Sequence, residues 1–487
     1  MSIVHTQKSA LTSKPLKTSQ ATGAALATMG FAGAMPLIHG SQGCSAFSKV
    51  FLISHFREPF PIQNTAVDQV AAVMGTEDNL ETALKNLCQD AKVQCISVLT
   101  TGLVEMQGCD IWRIIANFKS HHPQWAHIDI VPVSTPDFKG TMETGFAKLV
   151  ESVVKQCVDP SPIQTIHNQI NVICSVSTTT ADIELLERYL AAFDLEPIFL
   201  PNIADSLDGH LESDDHSTTS TGGTSISAVK RVSSSGLTLV LGESGRSLAK
   251  WLEIRFSTPY LCVNQGITGT DQLLSELSHY TGLPVPKWIE RGRKRLQDAM
   301  LDTHFVLSNS PIAIASEPDL AYGLYTIFKE VGVSFKSIIT SYPAKWCDII
   351  AEPVTIGDLS HLEPVMDEVK IIFGNSHIQP FTEGKVPLVK VGYPCHDQFG
   401  NTDLLQFGYE GAKAQIFRVA NLLLDNHQQE VAPHISQYKF EPSEVVHVER
   451  KLHIANTDDH FKAIVLVAFA TKDRHCVDQH FGQARTF

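Results

Sequence analysis

The feature that most constrains the fold of this chain is a unit that recurs along its middle: a short apolar strand, a loop, then an amphipathic helix. The strand patterns lie at residues 170–176, 197–200, 237–241 and 312–315, and the helical apolar stripes at residues 182–193, 247–256 and 320–331. Strands that are apolar throughout are buried on both faces, and strands that alternate with helices form parallel sheets. The sequence therefore predicts an α/β protein in which a doubly wound unit is repeated about three times.

Composition shifts along the chain predict where these units divide. We predict three α/β domains, at residues 1–165, 166–310 and 311–424, the last closing with a long helix from about residue 411. A polar, Ser- and Thr-rich stretch at residues 205–223 is typical of a long surface loop. Residues 425–462 lose helical periodicity, as a linker does, and residues 463–487 begin with an apolar strand pattern that predicts an incomplete further α/β domain.

The charge and cysteine usage exclude several classes of protein. A net charge of −14 argues against nucleic acid or an anionic membrane as partner, because either requires a basic face. An uncharged run at residues 21–38 resembles a signal peptide, but its glycines and the spread of the preceding lysines argue against secretion. The ten cysteines include no CxxC pair and do not resemble a disulfide framework, so we expect a cytoplasmic protein with reduced thiols.

The common catalytic and nucleotide-binding motifs are absent from the sequence. We find no phosphate loop, no GxGxxG after a strand, no HExxH and no GxSxG. The adjacent pair His121 and His122 lies in a polar stretch that contains proline, where a solvated loop is the simpler interpretation than a metal site.

The most specific segment is MPLIHGSQGC at residues 35–44, where a glycine-containing turn precedes Cys44. Glycines let a backbone approach a bulky inorganic core and point amides at its sulfides, and a thiolate binds iron. An iron–sulfur cluster usually takes four cysteines, whereas this segment offers one and no nearby cysteine completes a set. From the residues alone, Cys44 is either a buried structural cysteine or one ligand of a cluster whose other ligands come mostly from another chain.

Motifs that follow one another over residues 14–425 resemble the nitrogenase β-subunit family. The matching segments are KPLK at 14–17, GA at 23–24, MPLIHGSQGC at 35–44, HFRE at 55–58, LTTGLVE at 99–105, TGGT at 221–224, DAMLD at 298–302, FGNSH at 373–377 and VGYP at 391–394. The resemblance implies three Rossmann-like α/β domains, which agrees with the alternation of strands and helices.

The same resemblance points to particular cluster ligands. The catalytic β subunit of the family holds its cluster with three cysteines, and at those positions this chain has Ser19, Cys44 and Gly102. The loss of two thiolates resembles the cofactor-assembly branch of the family. That branch implies a 4Fe–4S cluster bound by Cys44 and by three thiolates of a partner subunit. Cys109 is interpreted either as a spare ligand or, more simply, as a conservative filler.

The resemblance therefore implies a scaffold subunit for iron–molybdenum cofactor biosynthesis in nitrogen fixation, without catalysis of its own. It implies a homologous partner subunit in a heterotetramer, a cofactor precursor held mainly by that partner, the nitrogenase iron protein and cofactor-precursor donor proteins. The alternative is a β-type subunit of a nitrogenase or nitrogenase-like reductase, against which Ser19 and Gly102 count. A third hypothesis is a binding module that uses clefts at the carboxyl ends of strands.

The C-terminal residues carry a second resemblance. The segments VAFAT at 467–471 and VDQHFG at 477–482 are similar to the opening of a NifX-like domain, which binds iron–molybdenum cofactor and its precursors. His480 is a candidate cluster ligand at the predicted strand-to-helix turn, or alternatively a residue that packs or caps the helix. Cys476 is a weaker candidate. A partial domain has little core to bury, so we predict that residues 463–487 are disordered alone.

Overall fold

The computed structural model describes residues 3–6, 12, 14–162, 164–211, 219–382 and 384–426. The strands in this part of the chain are β1 (Val4–Thr6), β2 (Ala34–His39), β3 (Gln63–Asn64), β4 (Cys95–Thr100), β5 (Asp129–Val133), β6 (Ile166–Ile173), β7 (Glu196–Leu200), β8 (Ser235–Val240), β9 (Tyr260–Cys262), β10 (Pro311–Ser316), β11 (Ser334–Thr340), β12 (Val354–Ile356), β13 (Ile371–Gly374) and β14 (Leu388–Lys390). The α-helices are α1 (Gln20–Met29), α2 (Gln42–Phe56), α3 (Ala71–Met74), α4 (Glu77–Leu87), α5 (Gly102–Gln107), α6 (Ile111–His121), α7 (Met142–Cys157), α8 (Thr180–Ala191), α9 (Ala204–Leu207), α10 (Ile226–Lys230), α11 (Arg246–Phe256), α12 (Gly266–Thr281), α13 (Lys287–Leu307), α14 (Pro318–Glu330), α15 (Gln379–Thr382) and α16 (Gly408–Asn426).

The strands form three parallel sheets, which confirms the predicted α/β class. Their orders are β3-β2-β4-β5, β7-β6-β8-β9 and β1-β12-β11-β10-β13-β14. Every strand pair within them is parallel. In each sheet one strand, namely β2, β6 or β10, lies between two strands from later in the chain, so the strand order reverses there as in Rossmann-like units. The carboxyl ends of all strands in one sheet therefore meet at one edge, where loops can place functional groups.

The predicted elements lie close to the observed ones, with boundary shifts that have a physical cause. The strand predicted at 170–176 is β6, which begins four residues earlier, at Ile166. Its first three residues are exposed, so the apolar pattern detected only the buried part. The helix predicted from about residue 411 is α16, Gly408–Asn426.

The uncharged run at residues 21–38 lies in the interior of the molecule. It forms α1, all of whose residues are buried, and β2, which is also buried throughout. A Cβ atom at Gly23 would lie 1.9 Å from the Met142 carbonyl oxygen, so α1 and α7 approach each other with no room for a side chain at that point. The lack of charge in this run reflects burial on all sides.

The prediction of a long surface loop at residues 205–223 is wrong in part. Ala204–Leu207 forms the short helix α9, and Ser220, near the other end, is buried. The Ser220 hydroxyl donates to the Phe31 carbonyl oxygen at 2.5 Å and accepts from the Ala34 amide at 3.1 Å. A polar composition predicts solvent exposure, whereas the Ser220 hydroxyl satisfies backbone groups in the interior.

The described residues up to Leu424 form one compact body, which contains the three sheets. Strand β1 pairs with β12 in the third sheet, a pairing that the predicted division at residues 165 and 310 did not include. Apart from the last residues of α16, the predicted linker at 425–462 and the partial domain at 463–487 lie outside the described residues. None of the helices in the described part of the chain is long and apolar enough to cross a membrane.

Candidate functional site

Cys44 lies at the carboxyl edge of the first sheet, where β2 leads into α2. It is the third residue of this helix and is half-buried. The residue that precedes the helix, Ser41, makes no side-chain cap to the free amides, and its Oγ lies 3.6 Å from Cys44 Sγ. The N-terminal end of a helix carries a partial positive charge, which favours an anionic group bound beside it. The local geometry therefore suits a metal-ligating cysteine.

The two glycines before Cys44 lie in different surroundings. A Cβ atom at Gly40 would lie 2.5 Å from the Thr101 side chain, so packing inside the chain excludes any larger residue there. A Cβ atom at Gly43 would meet nothing within 4 Å, and its φ does not lie in the left-handed region. Nothing in the described chain explains the missing side chain of Gly43. This open side of α2, next to the thiol, leaves space for a group from outside the chain.

The other two family ligand positions lie at the same edge of the sheet. Ser19 precedes α1 and donates through its hydroxyl to Asp137 Oδ1 at 3.0 Å, in the segment that follows β5. Gly102 follows β4, and a Cβ atom there would contact the ring of the next residue in that segment, Phe138, at 3.7 Å. Helix α1 is in turn tied to the Cys44 helix by a hydrogen bond of 2.7 Å between Thr22 and Ser48. The segment 137–138 thus links the Ser19 and Gly102 positions beside α2.

Few side chains at this edge of the first sheet could bind a metal ion. Within the described residues, no group of three or more His, Cys, Asp or Glu side chains is arranged to hold a metal ion. Cys109 is half-buried, and burial raises the pKa of its thiol, which disfavours the thiolate that binds iron. The His121 and His122 pair lies at the end of α6, where the sequence predicts a loop, and the His122 ring packs at a tilt against the rings of Phe118 and Trp125.

A buried histidine that the sequence analysis did not single out supports the turn before Cys44. His39 Nδ1 lies 2.9 Å from Thr65 Oγ1, and its Nε2 lies 3.2 Å from Thr76 Oγ1 and 3.7 Å from Cys109 Sγ. The Thr65 hydroxyl oxygen also accepts from the Gly40 amide at 3.1 Å. Burial lowers the pKa of His39 to about 4, so the ring is neutral at physiological pH. His39 therefore positions the turn before Cys44 through Thr65. In the sequence, its place within residues 35–44 is the one feature that points to this role.

Exposed apolar side chains surround this edge. On α2, a stripe on the same helix as Cys44 consists of Phe47, Val50 and Ile53, which are 58%, 69% and 40% exposed. A second set lies on α3 and α5, where Met74 is 81% and Met106 82% exposed. Grouped apolar side chains of this kind mark protein–protein interfaces. We call the stripe of Phe47, Val50 and Ile53 the α2 surface.

The candidate ligands near the C-terminus, His480 and Cys476, lie outside the described residues. Their predicted roles stay predictions.

Comparisons with known proteins identify the family of this chain. The family model described as nitrogenase component 1 type oxidoreductase matches residues 19–424. The nitrogenase iron-molybdenum cofactor biosynthesis protein NifN of Nostoc sp. (strain PCC 7120) is 37% identical over 435 residues, which cover 88% of this chain and 97% of that protein. The protein of the same name from Klebsiella pneumoniae is 36% identical over 433 residues, covering 87% and 93%.

Among solved structures, a chain of "Nitrogenase Cp1 at pH 6.5" superposes with a TM-score of 0.81 at 28% identity and covers 90% of this chain and 98% of its own length. A chain of "Nitrogenase Cp1 at pH 5" gives a TM-score of 0.66 at 14% identity, which shows the shared fold alone. The matched region begins at Ser19, the residue before α1, and ends within α16. On these matches, the chain belongs to the nitrogenase component 1 type oxidoreductase family.

Proposed function

We propose that this chain is a NifN-type subunit of the NifEN scaffold, on which the iron–molybdenum cofactor of nitrogenase is assembled. Relatives that carry this name are 33% to 38% identical over most of the chain. The observation that carries the proposal is the survival of one thiol among three ligand positions. Cys44 retains a favourable helix N-terminus, whereas Ser19 is engaged with Asp137 and Gly102 has no side chain.

In this proposal Cys44 supplies one thiolate to a 4Fe–4S cluster, and three thiolates of a NifE-like homologous subunit complete the set. When bound, such a cluster supplies one-electron transfer. Within this chain, the uncapped amides of α2 favour the negative charge of the thiolate, and Ser41 holds the sulfur by its hydrogen bond. The missing side chain at Gly43 keeps the approach to that sulfur open.

The α2 surface is the part of this chain that the NifE-like subunit covers. A partner that supplies ligands to the Cys44 cluster must lie against the helix that carries Cys44, and Phe47, Val50 and Ile53 then become buried. Two such pairs form a heterotetramer in the cytoplasm. The precursor of the cofactor is held mainly by the partner, and the nitrogenase iron protein and precursor donor proteins act on the complex. The NifX-like segment around His480 is a further cluster-binding element of this proposal.

A β-type subunit of a nitrogenase or nitrogenase-like reductase is the second candidate. It is favoured by the TM-score of 0.81 against the nitrogenase chain. An electron-relay cluster of that kind needs thiolates that Ser19 and Gly102 do not supply. The two candidates therefore differ in how many cluster ligands this chain contributes.

The test is anaerobic co-expression with the partner subunit, followed by iron analysis and electron paramagnetic resonance spectroscopy. We expect Cys44→Ala to assemble but to lose the iron and the signal of one 4Fe–4S cluster per pair of subunits. The matched control is Cys109→Ala, which removes a half-buried thiol from the same edge and should keep both. An unchanged iron content and signal in Cys44→Ala would mean that Cys44 is a structural cysteine.

A further inference from the structure

The Asp319 side chain reaches from the third α/β unit, residues 311–424, to the second, residues 166–310. Asp319 lies in the first turn of α14, and its carboxylate reaches the turn between β8 and α11. Asp319 Oδ1 accepts from the Glu243 amide at 2.8 Å, and Oδ2 accepts from the Ser244 hydroxyl at 2.5 Å and the Ser244 amide at 3.3 Å. Ser175, after β6, donates through its hydroxyl to Oδ2 at 2.9 Å. The carboxylate therefore accepts hydrogen bonds from four donor groups of the second unit, although it belongs to the third.

The turn that receives this carboxylate is shaped around it. Gly242 has a φ of +132°, and a Cβ atom there would lie 2.3 Å from Asp319 Oδ2. Both the backbone conformation and the close approach require glycine. A strand, a glycine turn and a helix N-terminus form the arrangement with which α/β proteins bind oxyanions through backbone amides. Here the oxyanion is the chain's own carboxylate.

The backbone of the same residue ties the first unit to this junction. The Asp319 amide donates to Glu143 Oε2 at 2.8 Å, and Glu143 lies in the first turn of α7. The neighbouring Glu317 accepts from the Ser341 hydroxyl at 2.7 Å. Asp319 and Glu143 are 7% and 4% exposed. One buried residue thus makes hydrogen bonds to both of the other units.

A cleft opens beside the junction. It has a volume of about 220 Å³, and its lining includes Gly242, Arg246, Asp319 and Trp346. The Arg246 guanidinium is paired with Glu243, with Nε 2.6 Å from one carboxylate oxygen, so it does not compete for Asp319. The Asp319 carboxylate therefore stands between the cleft and the amides of the turn.

We propose that Asp319 is a latch: its carboxylate fills the anion-binding turn at Gly242–Ser244, fixes the second unit against the other two, and keeps small oxyanions out of the adjacent cleft. The inference does not depend on the cluster function. It implies that the turn regains affinity for a small external anion when the carboxylate is removed. It also implies that such an anion restores the stability that the substitution takes away.

The test is chemical rescue of Asp319→Ala in the full-length chain, using formate as the missing carboxylate. We expect the thermal midpoint of Asp319→Ala to fall by about 5 °C, because several buried donors lose their acceptor. Sodium formate should recover at least about half of that fall relative to sodium chloride at the same ionic strength. Asp319→Asn is the matched control, since its amide fills the space that formate needs; it and the wild type should not respond to formate.

Two results would overturn the latch. One is a thermal midpoint of Asp319→Ala equal to that of the wild type. The other is an equal change of the thermal midpoint with formate in the wild type, Asp319→Ala and Asp319→Asn. If Asp319→Ala does not fold, Ser244→Ala provides the second measurement, because it removes one donor and leaves the carboxylate in place. Hydrogen exchange of the Glu243 and Ser244 amides should then be several-fold faster than in the wild type, and unchanged exchange would contradict the proposal.

Discussion

Gly43 gives the sharpest test of whether the edge around Cys44 is kept open for a group from outside the chain. It is the second residue of α2, and a Cβ atom there would meet no atom within 4 Å. Glycine in a helix is less favourable than alanine by about 0.5–1 kcal/mol. Gly43→Ala should therefore leave the free energy of unfolding of the purified chain unchanged or raise it by up to about 1 kcal/mol.

The same substitution should damage the assembled complex. The added methyl group lies on the exposed side of the helix, one residue from the thiol that we propose as the cluster ligand. A cluster and partner that approach the α2 backbone closely would clash with it. We expect Gly43→Ala to lower the iron content of the complex and the electron paramagnetic resonance signal of the shared cluster, with no loss of chain stability.

Gly40→Ala is the matched control, because it adds the same methyl group three residues away. Its Cβ atom would lie 2.5 Å from Thr101, so the chain itself must shift. Overpacking of this kind typically costs about 1–3 kcal/mol, which unfolding of the chain alone would detect. If Gly43→Ala assembles with full iron content and an unchanged signal, the open side of α2 is not reserved for the cluster. If it destabilises the chain alone, the reasoning from the local geometry is wrong.

Two further substitutions test the buried carboxyls and the lost ligand position. Burial raises the pKa of Glu317 from its ordinary value near 4.5 to about 7, so the folded state binds a proton that the unfolded state has released. Its contribution to the free energy of unfolding should fall by about 2 kcal/mol between pH 5 and pH 8. In urea unfolding, the stability of Glu317→Gln should decline less over this pH range than that of the wild type. An equal decline in both proteins would refute the raised pKa of Glu317. Gly102→Cys should fold normally, because its Cβ atom would be in ordinary contact with Phe138 at 3.7 Å. It should raise thiol content without lowering the thermal midpoint, and a marked loss of stability would show that the site can no longer accept the family's cysteine.

The fold could be predicted because the central strands contain buried apolar runs, such as residues 312–315 in β10, that stand out between the amphipathic helices. The position of Cys44 followed from the motif around it. The hydrogen bonds of His39 could not be predicted, since Thr65 and Thr76 lie on other segments that only the folded chain brings to the ring. Ser220 was misjudged for a related reason, because its partners are backbone groups near Phe31 that a composition argument does not include.

The difference between Gly40 and Gly43 also needed the structure. Both are glycines of one turn in the sequence, but Thr101 occupies the space beside one and not the other. The role of Asp319 could not be predicted from the sequence either. The absence of a GxGxxG motif argues against a bound nucleotide, but it does not indicate that the Asp319 carboxylate fills the turn after β8.

Strand β1 has a consequence for how the chain folds. It completes the third sheet by pairing Val4 with Val354, which closes a loop of about 350 residues, whereas the neighbouring pair of Thr340 and Ile356 closes a short one. Loop-closure entropy grows with the logarithm of the length of a flexible loop, so in the unfolded chain the β1–β12 contact costs about 3 kcal/mol more to close than the β11–β12 contact. During synthesis β1 is made long before β12, and once β12 has formed it presents a free edge that another strand could pair with until β1 docks.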